Sequence, residues 1–105
     1  WTQDGTLVPV SVLENHWGVQ RQSIDAARRR GEIFSLFVRG RHWYPAEALK
    51  FNRSILSEIV KALGEDGAST KLIFLIKRHG ALGSRTPVEA VDNGMLHDVI
   101  RLATA

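Results

Sequence analysis

Residues 10–31 read VSVLENHWGVQRQSIDAARRRG, and two short helical patterns lie on either side of Gly18 in this stretch. In the first pattern Ser11 and Glu14 are three residues apart, which is the spacing of a capping box at a helix start. Glycine is a common interruption of helical patterns. We therefore predict a helix over Val10–Trp17 that ends at Gly18.

A second helix is predicted over residues 20–30. Ile24 and Ala27 are three residues apart and share its inner face, and three consecutive arginines suit the negative end of the helix dipole. Gly31 is the expected stop, because glycine readily adopts the left-handed conformation that follows many helices. Only a few residues around Gly18 separate the two helices, which is the spacing of a helix-turn-helix.

A β-hairpin is predicted over residues 33–44, because strand formers lie on both sides of Gly40. They are Ile33, Phe34, Phe37, Val38, Trp43 and Tyr44. A two-residue turn at Arg39 and Gly40 would pair Leu36 with Trp43. A loop that is one residue longer would pair Leu36 with Tyr44 and Phe37 with Trp43, and it is the arrangement we expect.

The rest of the chain predicts further helices, separated by a linker at residues 64–67. They are a helix from Pro45 through Phe51, an amphipathic helix over residues 54–63, a buried helix over residues 69–79, a helix that starts at Thr86 and ends at Asn93 and Gly94, and a last helix over residues 95–102. A Ser/Thr start and a basic end favour helix over strand for residues 69–79. The predicted fold is mainly α with one small β-hairpin, in two modules at 1–53 and 54–105.

Composition indicates a globular protein with a basic N-terminal half. The 105 residues are 44% apolar and 24% charged, and the net charge is +3. Residues 1–53 carry eight cations against five acids, whereas residues 54–105 carry six of each. The cations of the first half are Arg21, Arg28, Arg29, Arg30, Arg39, Arg41, Lys50 and Arg53. A polyanionic partner is therefore expected at the N-terminal half.

Several functional classes are excluded by the residues present. The histidines have no second ligand at metal-binding spacing, no strained nucleophile turn occurs, and no phosphate loop is present, so we expect no catalytic residue, no metal and no cofactor. The longest apolar run is residues 72–76, which is too short to cross a membrane. The absence of cysteine and of a signal segment favours the cytoplasm. Because the first residue is Trp1, we expect the natural N-terminus to lie before it.

The second helix has the residues that read double-stranded DNA from the major groove. Its first turns contain Gln20, Arg21, Gln22, Ser23 and Asp25. Arginine can bind guanine through two hydrogen bonds and glutamine can bind adenine in the same way, so Arg21 and Gln22 are the base-reading candidates. Ser23 at the helix start suits a phosphate. Further phosphate contacts are expected from Arg28, Arg29, Arg39 and Arg41.

A simpler interpretation of these residues is a solvated helix face with arginines that suit the helix dipole. We accept it for Arg30 alone. For the whole set we favour DNA binding, because the short turn, the basic helix and the basic hairpin tip follow one another in the order that a wing-bearing DNA module needs.

The N-terminal half resembles the helix-turn-helix modules of excisionases and MerR-like proteins. The resemblance covers about two fifths of the chain, in the strings LENHWGVQRQSI (13–24), RRGEI (29–33), VRGR (38–41) and YPAEAL (44–49). It implies a winged helix-turn-helix in which the helix after the Gly-Val turn lies in the major groove. It assigns DNA-contacting roles to Arg21, Gln22, Ser23 and Arg41.

The C-terminal half resembles the toxin-binding domain of antitoxins of the Xre, MbcA and ParS type. The resemblance spans about residues 56–103, with the string LGSRTPVEAV (82–91) at its centre. It implies oligomer contacts and a protein toxin of the RES type as partner. The partner-binding candidates are Arg85, Thr86, Pro87, Glu89 and Met95.

The expected function is a DNA-binding transcriptional regulator, specifically an antitoxin that represses its own operon. The alternative is a protein-interaction module whose C-terminal helices bind a partner without specific DNA recognition. We also expect a homodimer or a larger oligomer, with a contact from the C-terminal helices. Its candidate residues are Leu72, Phe74, Ile76, Met95 and Val99, and the competing contact is the pair Phe37 and Trp43.

Overall fold

The computed structural model describes residues 1–105 and is mainly helical, with a small antiparallel sheet. The strands are β1 (Leu7–Pro9), β2 (Leu36–Val38) and β3 (Arg41–Pro45). The α-helices are α1 (Val10–Trp17), α2 (Arg21–Arg29), α3 (Arg53–Leu63), α4 (Ala68–Ile76), α5 (Pro87–Asp92) and α6 (Leu96–Thr104). Two 3₁₀ helices cover Ala46–Lys50 and Gly80–Leu82.

The sheet has three strands in the order β1-β3-β2, so the predicted hairpin has an additional edge strand. Leu7 of β1 pairs with Pro45 of β3 and is buried. Strand β1 was not predicted, because three residues are too few to show the alternation of a strand. The strand forms through its pairing with distant residues.

The hairpin has the shorter of the two possible turns, so the expected register was wrong. Leu36 pairs with Trp43, and Phe37 pairs with His42. Arg39 and Gly40 form the two-residue turn with φ of 52° and 77°. Positive φ at both positions is the signature of a type I′ turn, whose twist matches that of the flanking strands.

Helix α1 has the predicted bounds but not the predicted cap. Its N-cap is Pro9, which has no side-chain capping bond. Because the chain passes directly from β1 into the helix, Ser11 lies inside the first turn and does not form a capping box with Glu14.

Gly31 ends α2 as predicted. Its φ is 75°, and its N–H donates to the carbonyl of Arg28 at 3.1 Å. The N–H of Glu32 donates to the carbonyl of Ala27 at 3.0 Å. This pair of bonds is the Schellman arrangement that satisfies the last free carbonyls of a helix.

Pro45 was predicted at the first position of a helix, but it is the last residue of β3. The following 3₁₀ helix is only five residues long and ends before Phe51, which is buried. Short 3₁₀ turns are common connectors between longer elements. Here the turn joins β3 to α3, whose N-cap Asn52 accepts a hydrogen bond from the N–H of Ser54.

The C-terminal half is helical as predicted, with one helix that ends early. The helix expected over residues 69–79 is α4, which stops at Ile76 because His79 instead forms a short β-bridge with Arg85. Helix α5 begins after Thr86 as predicted, and Thr86 and Glu89 form a capping box at its start. No helix of the chain has both the length and the apolar character needed to cross a bilayer.

One continuous core joins the two halves of the chain, from Leu7 to Ala103. Helix α3 packs mainly against α6. Leu72 and Val99 are completely buried in this core, so they cannot form the oligomer contact for which they were candidates. Part of the long apolar run of α4 therefore packs in the chain's own core, through Leu72 and Leu75. Only Ile73 and Ile76 of this run are substantially exposed.

Candidate nucleic-acid interface

A tight turn at Gly18 sets the angle between α1 and α2. Gly18 has a φ of 66°, and its N–H donates to the carbonyl of Glu14 at 2.9 Å. Most L-residues other than glycine avoid this left-handed conformation. Leu13 and Ile24, one from each helix, are completely buried and hold the two helices on the core.

The outer face of α2 is polar and exposed over its first turn. The exposed residues at this end are Gln20, Arg21, Gln22 and Ser23, and Arg29 is exposed at the other end. Ile24 and Ala27 face the core, as predicted. The turn and the helix therefore present most of the DNA-binding candidates to solvent.

Asp25 and Arg28 differ from the other candidates because they pair with each other. The Arg28 guanidinium lies 3.5 Å from the Asp25 carboxylate, and both side chains are only about a quarter exposed. The Nε atom of Arg28 is buried and has no hydrogen-bond partner. This pairing leaves the two side chains less available to DNA than Arg21, Gln22 and Arg29.

The hairpin tip carries two exposed arginines. Arg39 lies in the turn, and Arg41 follows it with its guanidinium over the ring of Trp43 at 5.1 Å. Phe37 is 65% exposed and lies opposite His42, so it does not form the expected cross-strand pair with Trp43. The tip is therefore cationic, with one apolar side chain beside it.

His42 connects the hairpin to α2 electrostatically. Its Nδ1 atom lies 2.8 Å from the Ser35 hydroxyl. The centroids of the His42 and Phe37 rings are 4.9 Å apart, and the two rings meet edge to face. Burial lowers the pKa of His42 below its ordinary value of 6.5, and the nearby charge of Arg28 lowers it further. Asp25 opposes this shift. His42 is therefore neutral at pH 7.

A cleft of about 150 Å³ lies between α2 and the hairpin, and we call it the helix–hairpin cleft. It is lined by Val10, Arg21, Asp25, Gly40, Arg41, His42 and Tyr44. Arg21 from the helix and Arg41 from the hairpin thus share one cleft. Arg41 borders the cleft at the hairpin, while its guanidinium lies over Trp43, on the face of β3 opposite His42 and Tyr44.

Buried polar atoms without partners are concentrated around this region. The chain has three of them, namely Arg28 Nε, Trp43 Nε1 and the Tyr44 hydroxyl. All three belong to α2 or β3. From the sequence Tyr44 is a strand former, and only the burial of β3 distinguishes Tyr44 and His42 from ordinary strand residues.

A larger open groove of about 460 Å³ lies at the junction of the two halves. Trp17 lies in its wall with the Arg53 guanidinium over its ring at 4.5 Å, and Glu32 pairs there with Arg30 at 2.8 Å. The charged groups of Arg30, Glu32 and Arg53 are thus already in contact with other side chains of the groove. No group of three His, Asp or Glu side chains in the chain is arranged to hold a metal ion.

The partner-binding candidates of the C-terminal half are occupied within the chain. Arg85 donates to the carbonyl of Leu82 at 3.2 Å and lies 3.7 Å from the sulfur of Met95. Glu89 accepts from the N–H of Thr86 at 2.9 Å and from Arg78 at 2.7 Å. The hydrogen bond from the Thr86 N–H is the main reason why the pKa of Glu89 lies below its ordinary value of 4.5.

The remaining partner-binding candidate, Pro87, is buried at the start of α5. The LGSRTPVEAV string therefore builds the loop before α5 and the start of that helix, and it presents few free side chains.

In chemical terms, the surface of α2 and the hairpin offers hydrogen-bond donors and positive charge. Such a surface can bind an anion or the edges of bases. Comparison with protein-family models, curated proteins and solved structures found no match to this chain.

Proposed function

We propose that the chain is a DNA-binding transcriptional regulator with a winged helix-turn-helix formed by α1, α2 and the β2–β3 hairpin. The observation that carries this proposal is that the start of α2 and the hairpin tip border one cleft, which both Arg21 and Arg41 line. A helix that enters the major groove needs backbone contacts beside it, and the hairpin would supply them.

In this proposal α2 is the reading helix and the hairpin is the wing. Gln22 is exposed in the first turn of α2, and its amide can bind adenine through two hydrogen bonds. Gln20 and Ser23 lie beside it, and the helix start favours a phosphate near the Ser23 hydroxyl. Arg29, Arg39 and Arg41 would contact the backbone on either side.

The finer proposal is an antitoxin that represses its own operon and binds a toxin of the RES type. It depends on the resemblance of residues 56–103 to antitoxin domains. Because Arg85, Thr86 and Glu89 are engaged within the chain, the exposed Ile73 and Ile76 of α4 are better candidates for a toxin contact than the LGSRTPVEAV string. Co-purification of the untagged chain with the product of its neighbouring gene tests this part.

A second candidate is a protein-interaction module without specific DNA recognition. The same two isoleucines favour it, because α4 exposes adjacent large apolar side chains that the chain leaves uncovered. In this case the basic surface would have no role in sequence recognition.

Binding to duplex DNA distinguishes the two functions. Fluorescence anisotropy with a labelled duplex is measured over a series of salt concentrations. A DNA-binding protein shows affinity that falls linearly with salt on logarithmic axes, because phosphate contacts release counterions. Absence of duplex binding at low salt would favour the interaction module. Repression of a reporter from the chain's own promoter then tests the regulatory role.

A further inference from the structure

Helix α4 exposes two large apolar side chains that the other helices of the chain leave uncovered. Ile73 is 47% exposed and Ile76 is 38% exposed. Because they are three residues apart, they lie on one side of the helix. Leu72 and Leu75 are completely buried on the other side. The helix thus packs one apolar side in the core and presents a second apolar side to solvent.

We call this exposed side the α4 face. It consists of Ser69, Thr70, Ile73, Ile76 and Lys77, all of which are exposed. Ile73 is at its centre, because the other four residues lie three or four positions before or after it. The face is about 12 Å long. Its first half has small polar side chains, whereas its second half has larger ones.

The two ends of the α4 face carry opposite charges. Lys77 lies at the C-terminal end of the helix, and Glu65 and Asp66 lie just before its N-terminal end. All three side chains are exposed, and none of them forms an ion pair in the chain. By contrast, the neighbouring Arg78 pairs with Glu89 at 2.7 Å. A face with opposite charges at its two ends is complementary to a copy of itself turned by 180°.

An antiparallel copy of α4 matches the face in shape as well as in charge. With a two-fold axis beside Ile73, this residue meets Ile73 of the second copy, and Ile76 lies over the smaller Thr70. Lys77 then lies opposite Ser69 of the second copy. Asp66 is three residues further along, or about 4.5 Å along the axis, which is within reach of a lysine side chain. A parallel copy would instead bring like charges together at both ends.

We propose that the α4 face binds a second copy of this chain, with the two α4 helices antiparallel and Ile73 at the two-fold axis. Lys77 of each chain pairs with Asp66 of the other. The contact uses the same face of both chains, so it closes at a dimer. A face of two helical turns buries less than the roughly 1,200 Å² of a standard interface, so the dimer is weak, with a Kd of about 10–100 µM.

This dimer does not rest on the proposed function, since no part of α2 or the hairpin takes part in it. For a DNA-binding chain, the two-fold axis requires an operator with two inverted half-sites. Because the α4 face is also the toxin contact of the finer proposal, a toxin and a second copy exclude each other there.

The first test exchanges the charges of the proposed ion pair in the full chain. Lys77→Glu puts two acids opposite each other at both ends of the dimer, and Asp66→Lys puts two lysines there. Sedimentation velocity over a concentration series should show that each variant alone associates about tenfold more weakly than the wild type, because two exposed ion pairs become two repulsions.

An equal mixture of the two variants should regain the association of the wild type. In the mixed dimer every end again has one acid and one lysine, so the charges are complementary. The matched control is Lys61→Glu, which makes the same change of charge on the exposed side of α3 and should associate as the wild type does. Circular dichroism verifies that all variants fold.

The second test locates the two-fold axis by disulfide formation, which is possible because the sequence contains no cysteine. Ile73→Cys brings two thiols together at the axis, where packed helices place facing Cα atoms within the span of a disulfide, about 4–7 Å. In Ile76→Cys the two thiols are offset by about 9 Å along the helices, which is too far. Mild oxidation with oxidised glutathione should therefore cross-link Ile73→Cys and leave Ile76→Cys largely uncross-linked.

Three results would overturn the proposal. A chain that stays monomeric at several hundred micromolar has no such dimer, and its α4 face is then left for a different protein. Association that neither charge variant weakens means that the contact lies elsewhere, with Phe37 of the hairpin as the competing position. Variants that stay weak after mixing, or equal cross-linking at both cysteine positions, exclude the antiparallel arrangement.

Discussion

Removal of the two arginines at the hairpin tip should reduce the salt dependence of DNA binding. The perturbation is the double substitution Arg39→Ala with Arg41→Ala. Both side chains are exposed, and neither forms an ion pair in the chain. The substitutions break only the contact of Arg41 with the ring of Trp43, so the fold should be retained.

The size of the effect follows from the phosphates that the variant can no longer neutralise. Each arginine that binds a phosphate of duplex DNA contributes about 0.9 to the slope of log affinity against log salt concentration, so the two together contribute about 1.8. When the salt concentration rises fourfold, both proteins lose affinity for DNA. The fold-loss of the wild type should be about twelve times that of the variant. Binding at low salt should be weaker for all sequences, because interactions with the DNA backbone carry no sequence information.

The assay is fluorescence anisotropy with a labelled random-sequence duplex over a salt series, with circular dichroism to verify the fold. The matched control is Lys61→Ala with Lys77→Ala, which removes the same charge from exposed positions of the C-terminal half that form no ion pair. The control should retain the slope of the wild type. If the hairpin variant retains that slope as well, the hairpin is not a phosphate-binding wing and the geometry argued from the cleft is wrong.

Three further outcomes are expected. Gln22→Ala should reduce the preference for the operator over random DNA by about 1–3 kcal/mol, and an equal loss on both duplexes would instead identify a phosphate contact. Glu89→Gln should destabilise the chain at neutral pH, because its lowered pKa means that folding favours the carboxylate. In chemical denaturation, the difference in unfolding free energy between wild type and variant should shrink as the pH falls below 4.5, the ordinary pKa of a glutamate. A difference that stays constant with pH would contradict this prediction. The full chain should self-associate at tens of micromolar in light scattering. Ile73→Ser with Ile76→Ser should abolish this association while Phe37→Ser does not, and the reverse result would assign the contact to the hairpin.

The position of Tyr44 shows why part of the candidate site was hidden from sequence reasoning. A tyrosine in a strand pattern is usually a packing residue, and nothing adjacent to it distinguishes a satisfied hydroxyl from an unpaired one. The pairing of Asp25 with Arg28 was equally hidden, because the same residue types also occur on exposed faces that contact DNA. By contrast, the exposure of Gln22 followed from its place opposite Ile24 on a short helix.

Most of the helices are determined by local interactions that can be read from the sequence alone. Gly18 and Gly31 end α1 and α2 through their own positive φ, and Thr86 and Glu89 start α5 through bonds between residues three apart. Such interactions need no distant partner, so the sequence predicts them well.

Only the tertiary structure decided the sheet and the burial of the C-terminal helices. Strand β1 exists because Leu7 meets Pro45. Leu72 has the same apolar character as its neighbour Ile73, yet it is buried while Ile73 is exposed. The physical reason is that both pairing and burial depend on residues far away in the chain, whose free energies of contact no local pattern contains.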